Sequence, residues 1–343
     1  MQETKTFKKS LMLFITSLLL FAVSTLFLFF RVGSNEATLK AILILGYSLL
    51  GALISLPLAF FMPKGKKLSY FYSSLFASTV FALFLPLGVK YISVFISSFF
   101  MTIALFLFRI LFKKPVFHGL LFSMGLMYFI NPEGLTSHID GKSILVNIQK
   151  TPLSDLYTVR LLPFSEAVQA IDKDGISLFR LFIGDYLGSI GGGFILVLVI
   201  LMLFLTCYKS IKGSVSIVYL LSLYLSFFLC FFFHKEKAMT SLTQSLQMLL
   251  FNDFVLTSLI LSDTDYIEKN SLSTYSLTLI TSAMTFVISY NVNSYFAILI
   301  SLFLFDFLYP MFSSIRKKSV SIPLFVISLF LSVVPSILIG LYL

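Results

Sequence analysis

The stretch NPEGLTSHIDGKSILVNIQKTPLSD, residues 131–155, decides how this chain is read. It opens a polar interruption that runs to Asp185 between two strongly apolar halves. No other stretch is long and polar enough to form a lobe outside a membrane. Two signals belong to it: Lys150-Thr151-Pro152-Leu153-Ser154-Asp155 within, and Gly188-Ser189-Ile190-Gly191 at its exit. Any activity outside the lipid is expected to start there.

Composition sets the class on either side of this interruption. A mean hydropathy of +0.99, with 58% hydrophobic and 12% charged residues, leaves too little polar surface to solvate a globule of this size. An all-α integral membrane protein is expected, because a run of about 20 apolar residues crosses the hydrocarbon core as a helix that satisfies its own backbone. Strands of a membrane barrel would alternate apolar and polar residues, and these runs do not. Apolar runs bounded by charge or proline lie near Leu11–Phe30, Leu39–Met62, Tyr70–Pro86, Tyr91–Phe112, Val116–Ile130 and Ile190–Tyr208. They continue at Ser214–Phe233, Leu242–Leu261, Thr274–Tyr290, Ser294–Tyr309 and Ile322–Leu343. That makes 10–11 transmembrane helices, about five before the lobe and six after it. Val116–Ile130 is short for a full span and suits a tilted, re-entrant or buried segment. The first run is too long, and too poor in small residues before Arg31, to be a cleaved signal.

With 41 Phe, 16 Tyr and no Trp, Phe supplies the lipid-facing bulk and Tyr the interfacial anchor. Cys207 and Cys230 fall inside apolar runs and read as small buried hydrophobes. His118, His138 and His234 show no metal-ligand spacing. Basic residues orient the bundle: Lys5, Lys8 and Lys9 precede the first run, Lys64, Lys66 and Lys67 follow the second, and Arg109, Lys113 and Lys114 follow the fourth. With a cytoplasmic N-terminus, Lys209, Lys212 and Arg316-Lys317-Lys318 are also inside, and the lobe is external. Lys235 and Lys237 outside, with Asp263, Asp265 and Glu268 inside, argue the other way, but acidic residues weigh little in this rule. Topology and anionic lipid account for the net charge of +10 without a nucleic-acid partner.

Six segments in order resemble one family: the membrane subunits called D in Rnf electron-transport complexes and B in the sodium-pumping NADH:quinone oxidoreductase. Phe81-Ala-Leu-Phe-Leu-Pro-Leu-Gly-Val-Lys90 resembles its "LALxLPPGVP", and Lys114-Pro115-Val116-Phe117-His118-Gly119 falls where it has "NPFNPA". Thr151-Pro152-Leu153 falls at its "ATPL", and Gly188-Ser189-Ile190-Gly191 is similar to its "GSIGE". Ser262-Asp263-Thr264-Asp265 stands at its "ATDP", and Tyr295-Phe296-Ala297-Ile298-Leu299 resembles its "VAFAIL". The similarity covers Leu68 to Pro310.

The resemblance implies two inverted five-helix repeats, residues 1–130 and 188–318, around an extracytoplasmic lobe at 131–187; 319–343 is an additional transmembrane segment beyond the family's usual end. It further implies FMN esterified through its phosphate to Thr151, which has the required hydroxyl and a following Pro152 that holds it extended. Lys150 is placed to pair with the flavin phosphate, and Gly188, Ser189 and Gly191 to contact the cofactor. The sequence departs from the family at Ile148-Gln149-Lys150, where a small, polar approach to the threonine is usual, and at Gly192-Gly193, where an acidic and a hydroxyl residue are usual. Thr151 therefore also reads as a turn residue ahead of Leu153–Leu156, and the glycines as close-packing positions.

Asn252, Asp253 and Asp306 are the polar residues within apolar runs that matter most, because a carboxylate in hydrocarbon is costly. Asp253 and Asp306 are candidates for an ion path; hydrated residues at a helix break or interface are the alternative. Arg109 reads as an interfacial cation snorkelling to headgroups, and His118 as a structural residue of a tight turn. The expected function is that of a membrane subunit in an ion-translocating electron-transfer complex of the bacterial cytoplasmic (inner) membrane. It would work with a flavin-bearing external subunit and other membrane partners, and would not turn over substrate alone. A small-solute channel or transporter built on inverted repeats, and a cofactor-free scaffold subunit of the same family, are the alternatives.

Overall fold

The computed structural model describes residues 2–32, 35–63, 65–112, 119–131, 189–191, 195–234, 238–251, 254–262, 267, 271–292, 294–315 and 318–342. The described residues divide into two compact units, 2–131 with 189–201 and 202–342, so the division falls inside one helix after Leu201. The helices of the first unit are α1 (Gln2–Val32), α2 (Asn35–Ala52), α3 (Ser55–Ala59), α4 (Lys67–Phe84), α5 (Tyr91–Phe112) and α6 (Gly119–Ile130). The dividing helix is α7 (Ile195–Cys207). The second unit holds α8 (Gly213–Phe233), α9 (Ala238–Phe251), α10 (Phe254–Leu261), α11 (Leu272–Asn291), α12 (Ser294–Ser314) and α13 (Lys318–Tyr342).

Every apolar run of the sequence carries a helix or a pair of helices. Among the described residues seven are long and apolar enough to cross a membrane, and the bent pair α9 and α10 would make eight. Three of the eleven apolar runs do not meet that measure among the described residues. Among the described residues α6 and α7 run for 12 and 13 residues, about 20 Å at 1.5 Å per residue, and each begins where the described residues resume. The third segment, α4, is long enough, but Lys67 at its start and Ser69, Ser73, Ser74, Ser78 and Thr79 along it lower its average hydropathy. At 31 residues, α1 is longer than its apolar run, because the helix starts at Gln2 and continues through Lys5, Lys8 and Lys9, and the stretch that suits the membrane is Phe7 to Leu26. Cys230 is buried as expected, whereas Cys207, the last residue of α7, is exposed. His234 follows the end of α8, where its N–H donates to the Cys230 carbonyl (3.1 Å).

Within the first unit α2 packs on α4 and α5, α5 on α6, α4 on α6, and α1 on α4. Hydroxyls tie three of these helices in a closed loop. Ser48 donates to the Ser78 carbonyl (2.8 Å), the Ser78 and Ser98 hydroxyls bond each other (2.9 Å), and Ser98 donates to the Ser48 carbonyl (2.6 Å). Such close approach needs a missing side chain: a Cβ on Gly51 would lie 2.8 Å from the Phe95 carbonyl oxygen and the Phe99 nitrogen. In the second unit α8 packs on α10 and α11, α11 on α12, and α10 on α12, while α13 lies against α8 and α11. Ser226 donates to the Ser332 carbonyl (3.1 Å), and Gly340 abuts the Cys230 backbone, which holds α13 to α8.

Because backbone atoms cannot move aside, Gly51→Val should weaken the α2–α5 packing by about 1–3 kcal/mol. Gly46→Ala, with nothing within 4 Å of the added carbon, should be neutral or stabilise by up to about 1 kcal/mol. Thermal unfolding of the two variants in detergent compares them directly.

Candidate functional site

Two helices, one in each unit, end abruptly among buried residues, and each end is a candidate site. In α4 the cause is Pro86, which forces the preceding residue out of the helical region; Leu85 is extended, with φ −85° and ψ 144°. The last carbonyls of the helix then have no partner within it. Residues Phe81 to Leu85 are buried, so water does not replace the missing donors. A segment distant in the chain does. The Gly191 N–H donates to the Leu83 carbonyl (2.8 Å) and the Ile190 N–H to the Leu85 carbonyl (3.1 Å). Ser189, Ile190 and Gly191 are themselves buried, and a Cβ on Gly191 would stand 2.7 Å from the Leu83 Cβ.

The second unit repeats the arrangement at the end of α10, every residue of which is buried. The Lys212 N–H donates to the Ser262 carbonyl (2.7 Å), Ser216 to the Ser258 carbonyl (3.0 Å), and the Ser262 hydroxyl to the Leu259 carbonyl (2.9 Å). The donor Lys212 lies in the short turn that follows α7. Lys209 adopts a left-handed φ of 56° there, while Lys209 and Ser210 N–H groups close the α7 end on Thr206 and Leu205.

Deeper in the second unit, the Tyr219 hydroxyl bonds Thr285 (3.2 Å) and also reaches Ser301, linking α8, α11 and α12. Ser282 donates to Ser222 (2.6 Å) across the same α8–α11 contact. Asp306, on α12, is only 3% exposed.

Of the residues singled out from the sequence, Ser189, Gly191 and Asp306 are described; Lys150, Thr151, Gly188, Asn252, Asp253 and His118 lie outside the described residues, as does most of the polar lobe. The structure joins Ser189–Gly191 to the Leu83–Pro86 break through Ile190 and Gly191, two segments more than 100 residues apart in the sequence. Because the Gly191 N–H and the space beside it are both committed to α4, this residue serves the junction between the segments. The buried hydroxyls were missed altogether. A signal existed: Thr274, Thr278, Thr281, Ser282, Thr285 and Ser289 recur every three to four residues and share one face of α11. No group of three or more metal-ligating side chains occurs among the described residues. No protein-family model matches the chain, and no curated protein matches it.

If the junction is a packing device, Gly191→Ala should destabilise the protein by about 1–3 kcal/mol even when no flavin is present. Gly125→Ala, with open space around the added carbon, should not. Chemical unfolding of protein produced without flavin separates the two.

Proposed function

We propose that this chain is a divergent membrane subunit of the Rnf and sodium-pumping NADH:quinone oxidoreductase group, acting in an ion-translocating electron-transfer complex of a bacterial cytoplasmic membrane. The observation that carries the reading is the joining of two of its motif segments, Phe81–Lys90 and Gly188–Gly191, at one buried backbone junction. A repeated packing pattern supports it. The contacts of α2 with α4 and α5, of α5 with α6 and of α4 with α6 recur, six helices later, as α8 with α10 and α11, α11 with α12 and α10 with α12. The hydroxyl bond from Ser48 on α2 to the Ser78 carbonyl on α4 recurs as Ser216 on α8 to Ser258 on α10. On this reading the two sets are inverted repeats, and α13 is an addition packed on the second.

In the proposal Thr151 carries FMN, Lys150 pairs with its phosphate, and Gly188 and Ser189 border it from the junction. A flavin so attached supplies electron transfer; the chain supplies its tether and a protein wall that keeps water away. Asp306, buried on α12, is the described carboxylate for an ion path. A solute channel draws on the hydroxyl face of α11. Yet Thr278, Thr281, Thr285 and Ser289 donate to carbonyls of their own helix and Ser282 donates across to Ser222, which suits packing better than conduction.

In-gel fluorescence of the denatured protein from its native host tests the cofactor, since only covalent flavin survives denaturation. Wild type should fluoresce and Thr151→Ala should not, with membrane abundance nearly unchanged because losing one hydroxyl outside the apolar runs costs only about 0.5 kcal/mol or less. Fluorescence that persists in Thr151→Ala assigns the wrong residue; a dark wild type points to the scaffold subunit. For orientation, a cysteine replacing Ser154 should react with an impermeant reagent in intact cells. Reaction only after the membrane is opened would reverse the topology.

A further inference from the structure

Three basic segments meet at one end of the first unit. The Ser10 hydroxyl donates to Ser69 (3.3 Å), and the Phe7 and Phe14 rings lie against Tyr72, so the start of α1, with Lys8 and Lys9, is beside the start of α4, with Lys66 and Lys67. The Tyr70 hydroxyl donates to the Thr102 carbonyl (3.0 Å), and the Arg109 guanidinium lies 5.7 Å over the Tyr70 ring. That brings the last turn of α5 to the same corner. Arg109 Nε is buried and has no hydrogen-bond partner among the described residues. Glu36, the one carboxylate among the described side chains of this unit, bonds Lys40 (3.6 Å) and faces Tyr91, at the opposite end of α5 from Arg109.

Apolar surface stands next to this charge. Phe60 and Phe61 are each 75% exposed. The Lys67 ammonium lies 5.3 Å over the Phe60 ring, and Phe61 packs edge-on against Phe106 of α5 (6.5 Å). Leu107 and Ile110, in the last turns of α5, are exposed as well. A free anion has no use for exposed aromatic rings. A zwitterionic headgroup brings its own ammonium, which this corner repels. An anionic phospholipid satisfies both features, with phosphate for the cations and acyl carbon for the rings.

We propose that this corner is a binding site for an anionic phospholipid, its phosphate held by Arg109, Lys66 and Lys67 and its acyl chains lying against Phe60 and Phe61. The inference requires only that α1, α4 and α5 are embedded in a membrane, and it is independent of the electron-transfer reading.

Native mass spectrometry of the full-length protein in nonionic detergent, titrated with phosphatidylglycerol, phosphatidylcholine or inorganic phosphate, provides the test. Wild type should retain phosphatidylglycerol over phosphatidylcholine by about tenfold or more, and less so as salt rises. Replacing Lys66, Lys67 and Arg109 by Gln should lower that retention on the order of fivefold per cation removed, while Lys90→Gln, an exposed cation at the other end of α5, should leave it unchanged. If the triple variant does not fold, Lys66→Gln alone, at an exposed position, carries the same expectation. Equal retention of the two lipids by wild type overturns the proposal. So does displacement of phosphatidylglycerol by an equal concentration of inorganic phosphate, which would mark a free-anion site. Undiminished retention in Phe60→Ser with Phe61→Ser would remove the acyl half of the site and overturn it as stated.

Discussion

A helix that stops inside an apolar medium leaves carbonyl groups that neither water nor lipid can satisfy, and the rest of this structure is arranged around that constraint. At the end of α4 the missing donors come from Ile190 and Gly191; at the end of α10 one comes from Lys212. Each bond to a buried carbonyl counts for more through the desolvation cost it avoids than through its own net strength, about 1–3 kcal/mol against about 1 kcal/mol. The requirement reaches into the sequence. Pro86 sets the break and Leu85 takes the extended conformation, while Gly191 stays small because Leu83 occupies the space beside it.

With few charges available, hydroxyls and small residues hold the helices together. Ser48, Ser78 and Ser98 bind three helices of the first unit in a ring, and Ser216, Tyr219 and Ser282 tie α8 to its neighbours in the second. Between membrane helices such bonds are individually worth about 0.6 kcal/mol, so they act mainly by fixing register. Close backbone approach does the remaining work where Gly51 meets α5 and Gly340 meets α8. Helix α13 is thereby integrated into the packing of the second unit.

Helix placement was largely legible from hydropathy alone, since each apolar run became a helix or a pair of helices. Boundaries failed where polarity and helicity part company. The lysines that close the apolar run at Leu11 do not end α1, and the run Leu39–Met62 divides into α2 and α3 although its hydropathy is unbroken. The junctions were half legible. Pro86 announced the first break, and the resemblance singled out Gly188–Gly191, but nothing local to either segment says that they bond to each other. Cys207 illustrates the same limit: its neighbours in sequence are apolar, yet it is exposed, because burial depends on which helices pack together and not on composition along one.

The electron-transfer reading builds on helices whose breaks are closed by distant backbone. That closure is tested most directly by hydrogen–deuterium exchange of the full-length protein in lipid nanodiscs, resolved at Ile190, Gly191 and Lys212. The account predicts that these three amides exchange as slowly as the interior of α5 or α11, because each is bonded to a carbonyl at the end of α4 or α10, with Ile190 and Gly191 buried as well. Exchange at the rate of an open loop would contradict it.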